Sequence, residues 1–341
     1  MSTEPLIRFG TGTTPRDFSA YAEWLRVAED CGYDLLTTGD SQSLWADPFV
    51  SMTFAAQQTR RPRLGITVSN PMTRHPAVVA SSATAIQQIS GDRFAYGISS
   101  GDSALRNIGV RPARVAELEE YVLCVQAMCD GRPATYNGAD QQLRWAHRPT
   151  PVWLAAEGPK TLELAGRIAQ GVVLSNSLSK EALERNLGHV RRGAEMAGRA
   201  LDDLDIWCMA NVVPAETEEA GINQVRSVLA GTANHVFRFT VEGKGLPEEL
   251  VPRIEELKRR YDSSHHASPA TAAHNAALVD ELGLTSYLAR QSTIAGPIER
   301  CIERLHEVAE AGVRQIIVAQ FVPDPMDFMK TFASRVLPEF S

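Results

Sequence analysis

Arg74 and His75 stand side by side in Thr73-Arg74-His75-Pro76. A permanent cation beside a ring that titrates near neutrality can hold an anionic group and move a proton. The competing reading is a helix-capping turn with both side chains in water. Two carboxylates are placed alike: Asp40 closes the run Leu35–Asp40, and Asp102 follows Phe94–Gly101. Either could bind a ligand or act as a base, and either could equally cap a helix. Gly158-Pro159-Lys160-Thr161 has the form of a helix start with proline in its first turn. Free N–H groups and the helix dipole favour a phosphate there, and Lys160 adds positive charge. The alternative is a plain helix start carrying a surface lysine. His265 and His266 lack the carboxylate-and-histidine spacing of a zinc helix. A solvated loop is expected there, or a lid that lends His266 to a substrate cavity as a second proton carrier. The tryptophans (Trp24, Trp45, Trp145, Trp153, Trp207) suit core or cavity lining, with Trp45 at a pocket.

Other chemistries are missing from the chain. There is no G-x-S-x-G nucleophile elbow, no GxxxxGK[ST] and no GxGxxG; Gly10-Thr11-Gly12 is a glycine-rich turn. Five cysteines (Cys31, Cys124, Cys129, Cys208, Cys301) form no CxxC, which fits buried, reduced thiols and no metal site. Lys plus Arg number 34 against 41 Asp plus Glu, a net charge of −7 without a basic block. That argues against nucleic acid as a partner. No apolar run reaches the roughly 18–20 residues that span a bilayer. The polar start Met1–Pro5 carries no signal peptide, so a cytoplasmic location is expected.

These residues need a frame that gathers them. Eight apolar runs alternate with amphipathic helices: Leu6–Thr11, Leu35–Asp40, Arg63–Asn70, Phe94–Gly101, Val152–Glu157, Gly171–Ser175, Asp205–Val213 and Gln315–Phe321. Phe18, Tyr21, Ala22, Leu25 and Ala28 share one helical face; Ile298, Cys301, Ile302, Leu305, Val308 and Ala309 share another. Gly32, Gly171 and Gly312 each stand between a helix and a strand, where a left-handed residue would stop the helix. Eight such units in a chain longer than about 250 residues predict a single α/β domain over 1–341, a (β/α)8 TIM barrel. A doubly wound open sheet is the alternative. Two segments exceed the repeat. Thr135–Trp145 reads as a hairpin or ordered loop. Gly231–Ile294 reads as a helical insertion before the last strand, serving as a lid or substrate-pocket element, with Leu250, Ile254, Leu257 and Tyr261 on one face. In a closed barrel ligands bind at the C-terminal strand ends. Asp40, Arg74, His75, Asp102 and Gly158 all fall there.

The residues also resemble a known family. Gly65-Ile66-Thr67-Val68-Ser69-Asn70-Pro71-Met72-Thr73-Arg74-His75-Pro76 looks like the third strand and helix start of the bacterial-luciferase-like flavin and deazaflavin superfamily, in particular the branch containing methylenetetrahydromethanopterin reductase. Ile89 to Ser103 resembles its next unit, and Gly158-Pro159-Lys160-Thr161-Leu162-Glu163-Leu164-Ala165-Gly166 its phosphate-side helix. Thr38-Gly39-Asp40 with Asp47-Pro48-Phe49 also fits, whereas the insertion has no match. The resemblance implies a barrel that holds reduced FMN, or the deazaflavin F420. Asp40, Thr67, Val68, Asn70, Ser100, Gly101 and Asp102 would surround the ring, and Gly158, Pro159 and Lys160 the phosphate. It also implies a non-prolyl cis peptide at Thr67–Val68. One departure matters: many F420-dependent members carry Asp-His after the second strand, and here the pair is Asp40-Ser41.

The first expectation is therefore a monooxygenase that uses O2 and reduced FMN supplied by a separate flavin reductase, oxidising a small organic substrate. The second is an F420-dependent reductase or dehydrogenase. The third is a non-catalytic flavin-binding barrel. Arg74, His75, Asp40 and His266 are the expected catalytic residues, and Arg74→Ala is expected to lose turnover more than fold. By resemblance the chain is a homodimer.

Overall fold

The computed structural model describes residues 5–145, 147–262 and 269–341. Its strands are β1 (Arg8–Gly12), β2 (Leu35–Thr38), β3 (Arg63–Ser69), β4 (Phe94–Ile98), β5 (Ala134–Tyr136), β6 (Ala139–Gln141), β7 (Val152–Ala156), β8 (Gly171–Leu174), β9 (Asp205–Pro214), β10 (Thr293–Gly296) and β11 (Gln315–Ala319). Eight of them pair in parallel in the order β1-β2-β3-β4-β7-β8-β9-β11, and β11 pairs back to β1. The sheet closes into the expected (β/α)8 barrel, and the open-sheet alternative falls away.

The barrel is filled, not hollow. Trp153 and Trp207 meet inside it with ring centroids 6.3 Å apart, packed with Leu35, Ala95, Val173 and Ile317. Small residues face the two indoles: a Cβ added at Gly10 would fall 3.2 Å from the Trp207 ring, and one at Gly65 3.4 Å from Trp153. The N-terminal end is closed by Asp205, which takes Arg63 at 2.6 Å and the Gln315 amide at 2.7 Å. Outside the sheet, the helix Phe18–Asp30 buries Tyr21, Leu25 and Ala28, and Ile298–Glu310 buries Ile298, Cys301, Leu305, Val308 and Ala309. These are the faces that the spacing marks.

Four details differ from the sequence reading. Gly32 and Gly312 take left-handed φ of 84° and 108°, as a helix stop requires. Gly171 does not; it opens β8, where an added Cβ would lie 2.4 Å from the Trp153 ring. Trp145 is 54% exposed, so it belongs to neither core nor cavity. The insertion has no clean boundary at Gly231, because the helix Glu218–Phe237 runs through that point. Its last element is a strand that periodicity missed: β10 pairs with the outer end of β9, Thr293 opposite Asn211 and Gly296 opposite Pro214. The insertion has a core of its own around Leu229, Val236, Ile254, Leu257, Leu278 and Leu288. Within Thr135–Trp145, β5 and β6 form an antiparallel hairpin turned by Asn137 and Gly138, both at positive φ.

Two outer helices, Pro159–Ile168 and Lys180–Met196, approach through glycines. A Cβ added at Gly193 would sit 1.9 Å from the Glu163 carbonyl oxygen, and one at Gly166 2.0 Å from that of Val190. Backbone on the far side cannot yield as a side chain would. Gly193→Ala is expected to cost about 1–3 kcal/mol of stability. Urea unfolding reads this, and an unchanged midpoint would show that the helices separate freely.

Candidate functional site at the C-terminal rim

Asp40 follows β2, and its side chain is fully buried. A carboxylate in that position requires partners. Ser69 Oγ donates to Oδ2 at 2.6 Å, and Arg74 Nη1 donates to the same oxygen at 2.6 Å. Arg74 Nη2 reaches Asp47 at 2.7 Å, and the guanidinium lies 5.3 Å from the Phe49 ring centre. Tyr121 OH donates to the Arg74 carbonyl at 2.9 Å. Burial alone would lower the Arg74 pKa, but Asp40 and Asp47 outweigh it and raise it. The pair expected to meet ligand thus bonds chiefly to itself. Asp40 is an internal acceptor, and Arg74 has both terminal nitrogens on carboxylates of its own chain.

The same ion pair fixes the end of β3. The Thr67–Val68 peptide is cis, as the resemblance implies, and the pairing of β3 with β4 shifts register between Ile66 and Ser69. Asn70 follows, 2% exposed, its Oδ1 accepting from the N–H groups of Met72 and Thr73 at 3.0 Å each. Among the described residues its buried Nδ2 has no partner, and neither has Thr38 Oγ1 at the end of β2. Two buried polar groups on neighbouring strand ends are left for a bound molecule to satisfy.

His75 does something else. Its Nδ1 accepts from the Ala77 N–H at 3.2 Å and caps the helix Pro76–Ser90, while its ring stands edge-on to Tyr136 of the β5–β6 hairpin. This is the capping reading, and it commits Nδ1 of the ring to a helix end. His266, the other expected proton carrier, lies outside the described residues.

The end of β4 carries the densest charge. Ser100 accepts from the Ala113 N–H at 2.8 Å through its carbonyl, and Gly101 adopts φ of 100°. Asp102 takes His235 Nδ1 at 2.9 Å on Oδ2, Arg238 Nη1 at 2.7 Å on Oδ1, and Arg106 Nη2. Arg238 Nη2 also donates to the Gly101 carbonyl at 2.7 Å. Burial would raise the Asp102 pKa, but the His235 bond and the charges of Arg238 and Arg106 hold it far below the usual carboxylate range. Burial lowers the Arg238 pKa.

Beyond β7, Gly158 is the N-cap of Pro159–Ile168 and Pro159 its first residue. Lys160 is exposed. Lys244 of the insertion approaches the helix start, its Cε 3.7 Å from where a Cβ added at Gly158 would lie. Trp45 is half-buried, and its Nε1 donates to the Gly39 carbonyl at 3.1 Å beside the rim. Among the described residues, no group of three or more His, Cys, Asp or Glu could hold a metal ion. Likewise no helix is long and apolar enough to cross a membrane.

Residues 5–315 match the luciferase-like monooxygenase family. The chain belongs to that family. Among curated relatives of this luciferase-like chain is the 5,10-methylenetetrahydromethanopterin reductase of Methanopyrus kandleri, 27% identical across 98% of this chain and 99% of its own. Another is an F420-dependent glucose-6-phosphate dehydrogenase of Nakamurella multipartita, 30% identical across 98% and 97%. The solved coenzyme F420-dependent tetrahydromethanopterin reductase of Methanopyrus kandleri superposes with a TM-score of 0.78 at 23% identity, over 98% and 99% of the two chains.

Three members of this luciferase-like rim escape sequence reading: His235, Arg238 and Lys244. All come from Gly231–Ile294, the insertion for which the sequence reading found no match, although the family model spans it. His235 and Arg238 are three residues apart, next to buried Val236 and Phe237, so their spacing marks one polar edge of a buried helix. Nothing local says which strand end they meet.

Two substitutions separate the carboxylates. Arg74→Ala leaves Asp40 buried beside a single hydroxyl, and is expected to cost about 3–5 kcal/mol in urea unfolding. This reverses the expectation of a fold-neutral variant; retained stability would restore it. Asp102 is partly exposed, and Asp102→Asn is expected to cost about 1–3 kcal/mol at pH 7. Because its folded pKa is depressed, its contribution is full above the unfolded value near about pH 4 and fades as pH falls through the folded one. The gap between wild type and variant should therefore narrow in strong acid. A gap independent of pH would show that Asp102 is not held ionised.

Proposed function

We propose that this chain is an F420-dependent oxidoreductase that passes hydride between the deazaflavin and a small organic substrate at the C-terminal rim. The observation that carries this reading is the end-to-end similarity to proteins named for F420 chemistry, joined to a rim with unsatisfied polar groups where a ring would lie. The residues fit such a ring. Asn70 Nδ2 and Thr38 Oγ1 offer hydrogen bonds, the cis Thr67–Val68 segment and Ser100, Gly101 and Asp102 line the neighbouring strand ends, and Gly158 and Pro159 present a helix N-terminus to a phosphate. When bound, F420 would supply hydride transfer with no oxygen step. Reduced FMN with O2 is the second reading; it would use the same ring contacts and would need a reductase partner. Homodimerisation remains part of the proposal in either case.

Proton handling has to come from this chain. Ser41 stands where an imidazole is common, and its Oγ accepts from Ser103 Oγ at 3.1 Å. His235 is the proposed substitute. An ionised Asp102 keeps the proton on its Nδ1, which leaves Nε2 as the basic nitrogen. Asp102 then acts as a positioning residue that fixes the orientation of the ring. Asp40 and Arg74 position β2 and β3 and do not touch substrate.

Fluorescence titration with F420 and with FMN tests the cofactor. Micromolar or tighter binding of F420 and at least tenfold weaker binding of FMN are expected. Binding of FMN alone, with oxygen consumed in turnover, would replace the proposal by the monooxygenase reading. Once a substrate is found, His235→Gln is expected to lower kcat by about 10²–10⁴ while F420 affinity holds. Equal kcat in both proteins would remove His235 from proton transfer.

A further inference from the structure

A cavity lies between the ends of β7 and β8 and the insertion. Its enclosed space is about 20 Å³, room for one water or one anion oxygen, and Glu157, Asn176, Arg185, Asn186, Lys244 and Gln291 supply its polar lining. Arg185 comes from Lys180–Met196, Asn176 from the residues just after β8, and Lys244 from the loop after Glu218–Phe237.

The charges here are not balanced. Arg185 is half-buried, yet among the described residues its guanidinium has neither a carboxylate partner nor a hydrogen bond, and its Nε is sealed from water. Arginine keeps its charge at any accessible pH, so neutralisation is no escape. Lys244 is 8% exposed, and its Nζ makes one hydrogen bond, to the Val236 carbonyl, out of three it can donate. Asn176 Nδ2 is a third donor, buried and without a partner among the described residues. Against these stands one carboxylate, Glu157. Burial lowers the pKa of both Arg185 and Lys244. In a chain of net charge −7, an enclosed excess of cations and spare N–H donors has one chemical complement, an anion with several acceptor oxygens.

We infer that this cavity is an anion pocket in which Arg185, Lys244 and Asn176 hold a phosphate or carboxylate group of a bound small molecule. Lys244 also approaches the Gly158 helix start, so the pocket adjoins the place proposed for the cofactor phosphate. Two sources share this chemistry: an anionic group on the cofactor, or one on the substrate. Only the choice between them rests on the proposed function; the pocket does not.

Inorganic phosphate is the first probe. Thermal unfolding of the full-length protein is followed as phosphate replaces chloride at constant ionic strength. Wild type should melt higher with phosphate. At ten times its dissociation constant the ligand shifts the folding equilibrium about tenfold. Arg185→Met and Lys244→Met should lose that response, and Arg185→Lys should keep part of it. Far-UV circular dichroism checks that each variant is folded. If phosphate stabilises wild type no more than chloride does, the pocket is refuted, whichever cofactor binds. An equal response in wild type and both methionine variants refutes it as well. The second arm assigns the source. A loss of at least tenfold in F420 or FMN affinity in the methionine variants, on top of the lost phosphate response, places the cofactor's anionic group there. Unchanged cofactor affinity with a lost phosphate response places the substrate's there. If neither cofactor binds wild type, the functional proposal fails while the phosphate response still decides the pocket.

Discussion

A carboxylate sealed from water has to be matched, and at this rim Asp40 is matched by Arg74 and Ser69. The match joins three stretches of chain: the turn after β2, the end of β3, and the loop that leads into Pro76–Ser90. Asp47 and Phe49 hold the other side of the same guanidinium. Ser69 and Arg74, which flank Asn70, both bond Asp40, and the buried Asn70 Nδ2 between them has no partner among the described residues. The ion pair immobilises the strand ends around it. Its partners lie within the chain, which adjacency in sequence does not reveal.

Much of the frame was legible. Alternating apolar runs and amphipathic helices marked all eight barrel strands, and the residues following them marked the rim. Closure itself was a choice between two topologies, and the pairs that decide it join strands far apart in the chain, such as Phe9 with Ile316. Gly171 shows the limit of a local rule. It precedes a strand as Gly32 and Gly312 do, but it is small for the sake of an indole, a contact with no trace in the neighbouring residues. β10 was missed because four buried residues have no period to read.

The site was legible in its positions and less so in its roles. Asp40, Asn70, Asp102 and Gly158 all sit at strand ends as read. Their partners decide what they do, and those partners arrive from elsewhere. His75 could have been a proton carrier or a cap; the Ala77 N–H and the Tyr136 ring decide for the cap. Asp102 could have been a free base; His235, Arg238 and Arg106 turn it into the fixed negative centre of a network. The basic side chains of that network and of the neighbouring cavity come largely from the insertion, so a barrel that the sequence describes well is completed by the part that it describes least.

The outer half of β9 has a meaning for how such proteins diversify. The barrel needs β9 only as far as Asn211, where its ladder with β11 ends, and the residues beyond carry β10 instead. The closing strand of the insertion is thereby stitched to a barrel strand by main-chain bonds, indifferent to side-chain identity. Any segment that begins after Pro214 and returns through a short parallel strand can dock on the same backbone edge. Length and composition between those two points are then free to drift, and the mouth of the barrel can be rebuilt for new molecules without disturbing the cylinder beneath it.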